Sequence, residues 1–197
     1  MAVLRSARRS SLPLRWAGWR LVCLGLGGMA ATPEFSAEAA PAEEYQIKAV
    51  FVYNFAHFVQ WPAAALPAGS TPLVIGVLGT DPFGSYLDEA VRGEKIDGHP
   101  LAVARFDRVE DVRGCQILFI SQSENDRLDR ILADLKGRSI LTVSEAAGFG
   151  GRGGMIGLVT VDQKIRLKIN VGAARASTLT ISSKLLRPAE IVATGKD

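Results

Sequence analysis

The two histidines of the chain, His57 and His99, are the first residues to test as metal ligands. Metal sites use short, regular spacings such as H-E-x-x-H, which places two imidazoles on one face of a helix. Neither histidine has a carboxylate or a thiolate at such a spacing. This pattern is typical of ordinary helix-face or loop histidines, so the sequence predicts no metal site.

The stretch "GFGGRG" (Gly148 to Gly153) formally matches the dinucleotide-binding pattern G-x-G-x-x-G. In that motif the glycines follow a strand and open a helix, so that backbone amides can approach a pyrophosphate. Here the glycines precede a strand instead. A flexible glycine turn is therefore the favoured interpretation, and no cofactor is predicted.

The candidate nucleophiles lack activating partners. Ser182-Ser183-Lys184 does not have the S-x-x-K spacing, and no G-x-S-x-G elbow is present. The serines suit the start of a helix. Cys115 opens an apolar run, where a buried structural thiol is favoured over a reactive one. The sequence predicts no catalytic residues and a protein that is not an enzyme.

The amino terminus has the composition of a secretion signal. Residues 1–20 contain five arginines and no acid, and an apolar run, "LVCLGLGGMAA", follows at 21–31. This run is shorter than the ~18 to 20 residues of a membrane-spanning helix. The triplet Ala37-Glu38-Ala39 offers a cleavage site, with a second option near Ala31. We expect residues 1–39 to be a cleaved signal peptide and the mature chain to lie outside the cytoplasm, with no direct membrane insertion.

Removal of this leader changes the charge balance. It holds five of the 23 basic and two of the 20 acidic residues, which leaves 18 of each. The sequence pI of about 9.0 therefore belongs largely to the leader, and the absence of a basic patch excludes nucleic acid as a partner. Residues 40–197 suffice for one domain with its own core. Cys115 alone cannot form an intramolecular disulfide, so none is predicted.

The element that comes first in the mature chain is a predicted helix rich in aromatic residues. It runs from about Glu43 to Gln60, is ended by Pro62, and contains most of "YNFAHFVQWP" (53–62). Apolar residues recur along one side at three- and four-residue spacing, namely Ile47, Val50, Phe51, Phe55, Phe58 and Val59. The opposite side is also apolar, with Ala49, Val52, Tyr53 and Ala56. Such a helix needs cover on more than one face.

Apolar runs alternate with helical stretches along the next part of the chain. Strands are predicted at Pro72–Gly79, His99–Phe106, Cys115–Ser121 and Arg138–Ser144. Helices are predicted from Asp81, which would act as the cap, to Ala90, and from Ser123 to Gly137. This alternation predicts an α/β fold in a single domain, with a largely parallel sheet flanked by helices on both faces.

The carboxyl-terminal part changes to the pattern of a hairpin. The segments "GGMIGLVTV" and "KIRLKIN" flank a two-residue loop, Asp162-Gln163. In the second segment the apolar residues Ile165, Leu167 and Ile169 alternate with Lys164, Arg166, Lys168 and Asn170, which predicts one buried and one wet face. We expect an antiparallel hairpin near a sheet edge, followed by a last helix from about Ser182 to Val192.

Six blocks in this order resemble the YfiR family of small periplasmic proteins. They are "YQIKAVFVYNFAHFVQWP", "IGVLGTDPFG", "CQILFIS", "GGMIGLV", "IRLKIN" and "ISSKLL", and they cover nearly the whole mature chain. The resemblance implies a periplasmic regulator that binds and represses a membrane-bound diguanylate cyclase of the YfiN type. It thereby implies restraint of cyclic-di-GMP signalling and of biofilm formation.

Two features depart from the family pattern. Some members carry further cysteines that form a disulfide around the glycine-rich loop, whereas this chain has no thiol between Gly148 and Gly154. Redox control through such a bridge is not available here. The family usually continues the "SSKLL" block with an aliphatic residue and an alanine, whereas this chain has Arg187-Pro188-Ala189. Because Pro188 has no amide donor, the last helix is expected to kink or to start late.

The predicted binding surface lies at the end of the first helix. Tyr53, Phe58 and Trp61 would anchor a partner, with Arg166 and Lys168 as a weaker polar rim. The second apolar side of the helix would meet that partner or a second copy in a homodimer, or would lie beneath the carboxyl-terminal helix, and both remain open. The alternative function is a periplasmic module that binds a small aromatic ligand.

The leader makes a testable prediction about the secreted protein. Intact-mass measurement of periplasmic material should give a chain that begins near Ala40, because the small-x-small triplet precedes that residue. Replacement of Ala39 by Trp should block this site and shift cleavage towards Ala31. Secreted material that retains residues 1–30 would contradict the prediction.

Overall fold

An eight-stranded, mostly parallel sheet forms the centre of the computed structural model, which describes residues 39–195 and the side chains from residue 42 onward. The described residues contain ten strands: β1 (Val59–Gln60), β2 (Leu73–Leu78), β3 (Lys95–Ile96), β4 (His99–Phe106), β5 (Ile117–Ile120), β6 (Leu141–Ser144), β7 (Ile156–Val161), β8 (Lys164–Ile169), β9 (Thr180–Ile181) and β10 (Glu190–Ile191). β1 and β9 form a separate two-stranded antiparallel sheet, and the other eight form the main sheet. The α-helices are α1 (Ala39–Phe58), α2 (Ser85–Val91), α3 (Leu128–Asp134), α4 (Val171–Ala176) and α5 (Ser183–Leu186). Short 3-10 helices cover Val109–Asp111 and Gln122–Arg127.

The strand order in the main sheet is β10-β8-β7-β6-β5-β2-β4-β3. β4, β2, β5, β6 and β7 are parallel neighbours, while β8 is antiparallel to β7 and β3 is antiparallel to β4. Every residue of the central strands β5 and β6 is buried, as expected where helices cover both faces of a parallel sheet. The predicted fold class is confirmed.

Each face of the sheet has its own apolar core. On one face α1 and α2 pack against alternate residues of β2, Leu73, Ile75 and Val77. On the other face α3 packs against Leu78 and against neighbouring residues of β5. These two cores place the surface of α1 and the surface of α3 on opposite sides of the molecule.

The apolar core on the α3 face leaves no room for a side chain at Gly76 of β2. A Cβ added there would lie 2.8 Å from Cys115 Sγ and 2.8 Å from Phe106 Cε2. A glycine is therefore required by the close approach of these neighbours. Cys115 itself is buried and unpaired.

The predicted hairpin is confirmed in detail. β7 and β8 pair with Val161 opposite Lys164, and Asp162 and Gln163 form the loop between them. Both loop residues have positive φ, 50° and 59°, as in a type I′ turn. The hairpin lies next to the sheet edge, because only the two-residue strand β10 lies beyond β8.

The predicted last helix, Ser182 to Val192, is wrong. The helix there is only α5, Ser183–Leu186, and the chain continues into β10, which pairs with Lys168 and Ile169. Pro188 follows α5 closely, and its missing amide donor explains why the helix does not continue. The sequence reading also missed α4, which begins after Asn170.

Two residues have other roles than predicted. Asp81 does not cap α2, because its side chain accepts the amide of Phe83 at 2.8 Å, and Gly84 occupies the cap position. Asn170 is buried instead of wet, and its side-chain oxygen caps α4 by accepting the Ala173 amide at 2.9 Å. A short polar side chain beside a helix start has backbone donors within reach, which compensates its burial.

The described residues contain no helix long and apolar enough to cross a membrane. The predicted signal peptide falls on residues 1–39, all of which except Ala39 lie outside the described residues. The first helix begins at Ala39, earlier than the predicted Glu43, and ends at Phe58.

Burial of Cys115 gives a testable prediction about thiol reactivity. Burial raises the pKa of the Cys115 thiol to about 12 from an ordinary value of 9.0. Since the thiolate is the reactive form, native protein at pH 8 should react with iodoacetamide about 1,000-fold more slowly than protein unfolded in urea. Reductant should leave the melting temperature unchanged.

The matched control for this experiment is the double variant Cys115→Ser, Ser70→Cys, because Ser70 is exposed. Its thiol should react equally fast in the native and the unfolded protein. Fast labelling of Cys115 in the native parent would show that the thiol is accessible and that the packing around β5 is not as described.

Candidate partner-binding surface on the first helix

One side of α1 is buried against the sheet. Ala49, Val52, Phe55 and Ala56 on this side are each at most 3% exposed. Ile47 and Val50 lie on the outer side, with 46% and 47% of their surface exposed. The sequence pattern placed Phe55 and Val59 on the same side as Ile47 and Val50, but Phe55 and Val59 are buried, at 1% and 5% exposed. The small residues let the helix approach the sheet closely, whereas bulkier side chains would hold it away.

A buried lysine fixes α1 on the sheet. Lys48 is only 3% exposed, and its ammonium forms ion pairs with Glu44 at 2.5 Å and with Glu145, the residue directly after β6. The Tyr45 hydroxyl donates to the second oxygen of Glu145 at 2.7 Å. The Thr160 hydroxyl of β7 donates to Glu44 at 2.7 Å. Because a buried charge is costly unless it is paired, these contacts set the position of α1 along β6 and β7.

The same contacts shift the pKa values of Glu44 and Tyr45. The pKa of Glu44 lies below its ordinary value, mainly because its carboxylate accepts a hydrogen bond from Lys48. The pKa of Tyr45 is raised, first by burial and then by its hydrogen bond to Glu145. The stabilising effect of Glu44 is therefore complete above pH ~4.5 and is lost as the pH falls through its lower folded-state pKa.

Four apolar residues form the surface that α1 turns outward, which we call the outer stripe: Ile47, Val50, Phe51 and Phe58. Phe51 and Phe58 are half-buried and pack at the margin of the core. A groove of about 440 Å³ separates the start of α1 from the β7–β8 hairpin, with Ile47 on one wall and Ile165 on the other. Glu43 and Gln163 also line the groove. Exposed apolar residues beside a polar rim are typical of a protein-binding surface.

The three predicted aromatic anchors lie in three different settings. Phe58 is part of the outer stripe. Tyr53 lies on the flank of α1 towards β3, where its hydroxyl donates to Glu94 at 3.1 Å. Trp61 follows β1, and its indole N–H donates to the backbone oxygen of Gln116 at 3.1 Å.

The two predicted rim residues are not beside these aromatic residues. Side chains alternate along β8, and Leu167 faces the core beneath α1. Arg166 and Lys168 therefore point to the opposite face of the sheet. The five predicted residues do not form one continuous surface, because strand alternation separates Arg166 and Lys168 from the helix.

Sequence reasoning missed the residues that matter most for the position of α1. A lysine in the middle of an otherwise apolar helix segment was the available signal for Lys48. Its partner Glu145 lies 97 residues away in the chain, and no local pattern indicates it. Among residues 39–195, no group of three histidine, cysteine or acidic residues could hold a metal ion.

Replacement of Lys48 by Met tests the role of this ion pair in stability. The variant leaves Glu145 buried without its cation, so we expect the free energy of unfolding to fall by about 3–5 kcal/mol in urea titrations. Glu44→Gln should cost less than about 1 kcal/mol, because Glu44 is partly exposed. The double variant Lys48→Met, Glu145→Gln should recover part of the loss. A cost below about 1 kcal/mol for Lys48→Met alone would contradict this account.

Comparison with known proteins assigns the family. A family model described as YfiR/HmsC-like matches residues 45–190, which is well over half of the 197-residue chain. A search of curated proteins finds no match. The matched range begins in α1 and ends at the start of β10, so it includes most of α1, both cores and the hairpin. The chain belongs to the YfiR/HmsC-like family.

Proposed function

We propose that this protein is a periplasmic regulator that binds the outer region of a membrane-bound diguanylate cyclase of the YfiN type and represses it. Repression would restrain cyclic-di-GMP signalling and biofilm formation. The observation that carries the proposal is the family match over residues 45–190. The exposed apolar side of α1 supports it, because such a protein acts by recognition and needs a surface to bind with.

The proposed location follows from the predicted leader. Residues 1–39 would direct export and be removed, and residues 40–197 would form the regulatory domain in the periplasm. From there the protein can change a cytoplasmic output only by binding one conformation of a membrane partner more tightly than another. A shift of a two-state equilibrium from 1:99 to 99:1 requires ~5.5 kcal/mol of differential binding.

We place the partner contact on the outer stripe and the neighbouring groove. Ile47 and Val50 are exposed and would lose water on binding, while half-buried Phe58 would serve as an anchor at the far end. Tyr53 and Trp61 would contribute at the flanks. Arg166 and Lys168 lie on the other face of the sheet, so they are not part of this proposed contact.

A second copy of the chain is a further proposed occupant of the outer stripe. In a two-fold homodimer the same patch meets itself, and an exposed apolar stripe suits such a contact. Light scattering of the parent and of a Val50→Glu variant distinguishes the outcomes. A parent that is monomeric at high concentration would exclude the homodimer and leave the stripe to the partner.

The repressor proposal predicts the cyclic-di-GMP level in four strains, with and without this gene and with and without the partner cyclase gene. Loss of this gene should raise cyclic-di-GMP and surface attachment only where the cyclase is present, because the protein has no output of its own. Equal nucleotide levels in the parent and in the single deletion would rule out repression.

Two valines of equal exposure allow a matched test of the contact surface. Val50 on the outer stripe and Val161 at the end of β7 are both 47% exposed. Val50→Glu should weaken repression and raise cyclic-di-GMP towards the deletion level, because a carboxylate would be buried at the contact. Val161→Glu, which faces the other side of the sheet, should repress like the parent. Equal repression by both variants would move the contact away from α1.

The alternative function is a module that binds a small aromatic ligand, and one cavity favours it. A space of about 470 Å³ lies beside Trp61 and is also lined by Leu66, Ile96 and His99. This size is within the range of small-molecule sites. Calorimetric binding of indole-like compounds, weakened in Trp61→Phe, would support this function.

A further inference from the structure

A second cavity lies on the α3 side of the sheet, away from the outer stripe. Its volume is about 370 Å³, which is within the range of small-molecule sites. It is bounded by the end of α3, by the glycine-rich loop Gly148–Gly154 and by α4. Nothing in the proposed contact with a cyclase uses this cavity.

The glycine-rich loop forms a fixed wall of this cavity. The Arg152 side chain binds residues of α3 and of the 3-10 helix before it. Its Nε donates to Asp129 at 2.6 Å, and its Nη1 donates to Asn125 Oδ1 at 3.1 Å. Asn170 Nδ2 donates to the Gly150 oxygen at 2.9 Å. The loop that was predicted to be a flexible glycine turn is thus held by side-chain hydrogen bonds at Gly150 and Arg152.

The charge around the cavity favours an anion. Arg152 and Lys136 both line it, and Asp129, which is bound to Arg152, is the one acidic residue in the lining. Within residues 39–195 Lys136 makes no ion pair. Arg152 uses three of its five N–H donors in the contacts to Asp129 and Asn125, which leaves two.

Three hydroxyl groups in the lining have a proton to donate. Thr142 is 2% exposed, and its oxygen accepts the amide of Met155 at 3.1 Å. The Thr194 oxygen accepts from Asn170 at 2.9 Å. Ser177, which is 4% exposed, uses its side-chain oxygen in no hydrogen bond within the described part of the chain. None of the three hydroxyls donates to another described residue, so each has an O–H group that a ligand in the cavity can accept from.

The rest of the lining is apolar. Leu132, Leu135, Met155 and Ala173 contribute aliphatic surface from α3, from the residue before β7 and from α4. An apolar wall combined with a few converging donors is the usual composition of a small-molecule site, in which the polar groups orient the ligand.

We propose that this cavity binds a small carboxylate with an apolar body. The carboxylate would accept from the Ser177 and Thr142 hydroxyls and be balanced by Lys136 and Arg152. The apolar body would lie against Leu132 and Met155. The ligand is identified only by this chemistry, an acceptor-rich anion at one end and an aliphatic surface at the other.

Calorimetric titration of the mature protein with hexanoate tests the proposal. Hexanoate should bind in a 1:1 ratio, whereas hexanamide, which is neutral and nearly the same shape, should bind at least tenfold more weakly. Ser177→Ala should weaken hexanoate binding about tenfold, because a hydrogen bond to a charged group is lost. Lys136→Gln should weaken it about threefold, as expected for an exposed cation.

Two further variants keep the experiment decisive. Lys184→Gln removes the same charge from an exposed position on α5 outside the cavity and should bind hexanoate like the parent. Ala176→Phe should fill the cavity from an exposed position on α4 and abolish binding without disturbing the core. Absence of hexanoate binding, equal binding of hexanamide, or binding that survives Ala176→Phe would each overturn the proposal.

Discussion

The pairing of the buried Lys48 ammonium with Glu145 is the constraint on which much of this structure depends. An unpaired charge in that position would cost several kcal/mol, so α1 can dock only where the lysine reaches the carboxylate that follows β6. This requirement sets the rotation of α1. Once Lys48 faces inward, Ala49, Val52 and Ala56 must follow it onto the sheet, and Ile47 and Val50 must face outward.

The exposed apolar side of α1 is therefore a consequence of how the helix is anchored. A helix with two apolar sides could bury either one, and hydrophobic burial alone would favour the bulkier side. The ion pair of Lys48 and the close approach allowed by Ala49 and Ala56 turn these residues inward and leave Ile47 and Val50 exposed. The same anchoring therefore determines which apolar residues of α1 remain exposed for contact with another protein.

The two faces of the sheet suit two different kinds of recognition. The α1 face presents an open stripe with a polar groove beside it, which fits a protein surface. The α3 face contains a partly open cavity lined by Lys136, Arg152 and three hydroxyl groups, which suits a small anion. Some family members brace the glycine-rich loop with a disulfide. In this chain Arg152 and Asn170 hold the loop by hydrogen bonds, so its order does not depend on redox conditions.

Local patterns in the sequence determined much of the fold. The alternation of strands and helices, the extent of β4 and the two-residue loop of the hairpin were predictable because each depends on neighbouring residues. The last helix was predicted too long, to Val192, because the pairing of β10 with β8 that replaces its second half is not visible in the local pattern. The burial of Asn170 could not be predicted, because strand alternation alone places it with Lys168.

The position of α1, the side on which Arg166 lies and the cavity beside Ser177 were decided only by tertiary structure. Each depends on residues far apart in the chain, such as Lys48 and Glu145, which are 97 positions apart. A sequence states which side chains are apolar or charged. Which apolar side of α1 is buried depends on the ion pair that Lys48 forms with Glu145. The packing of the whole domain brings these two residues together.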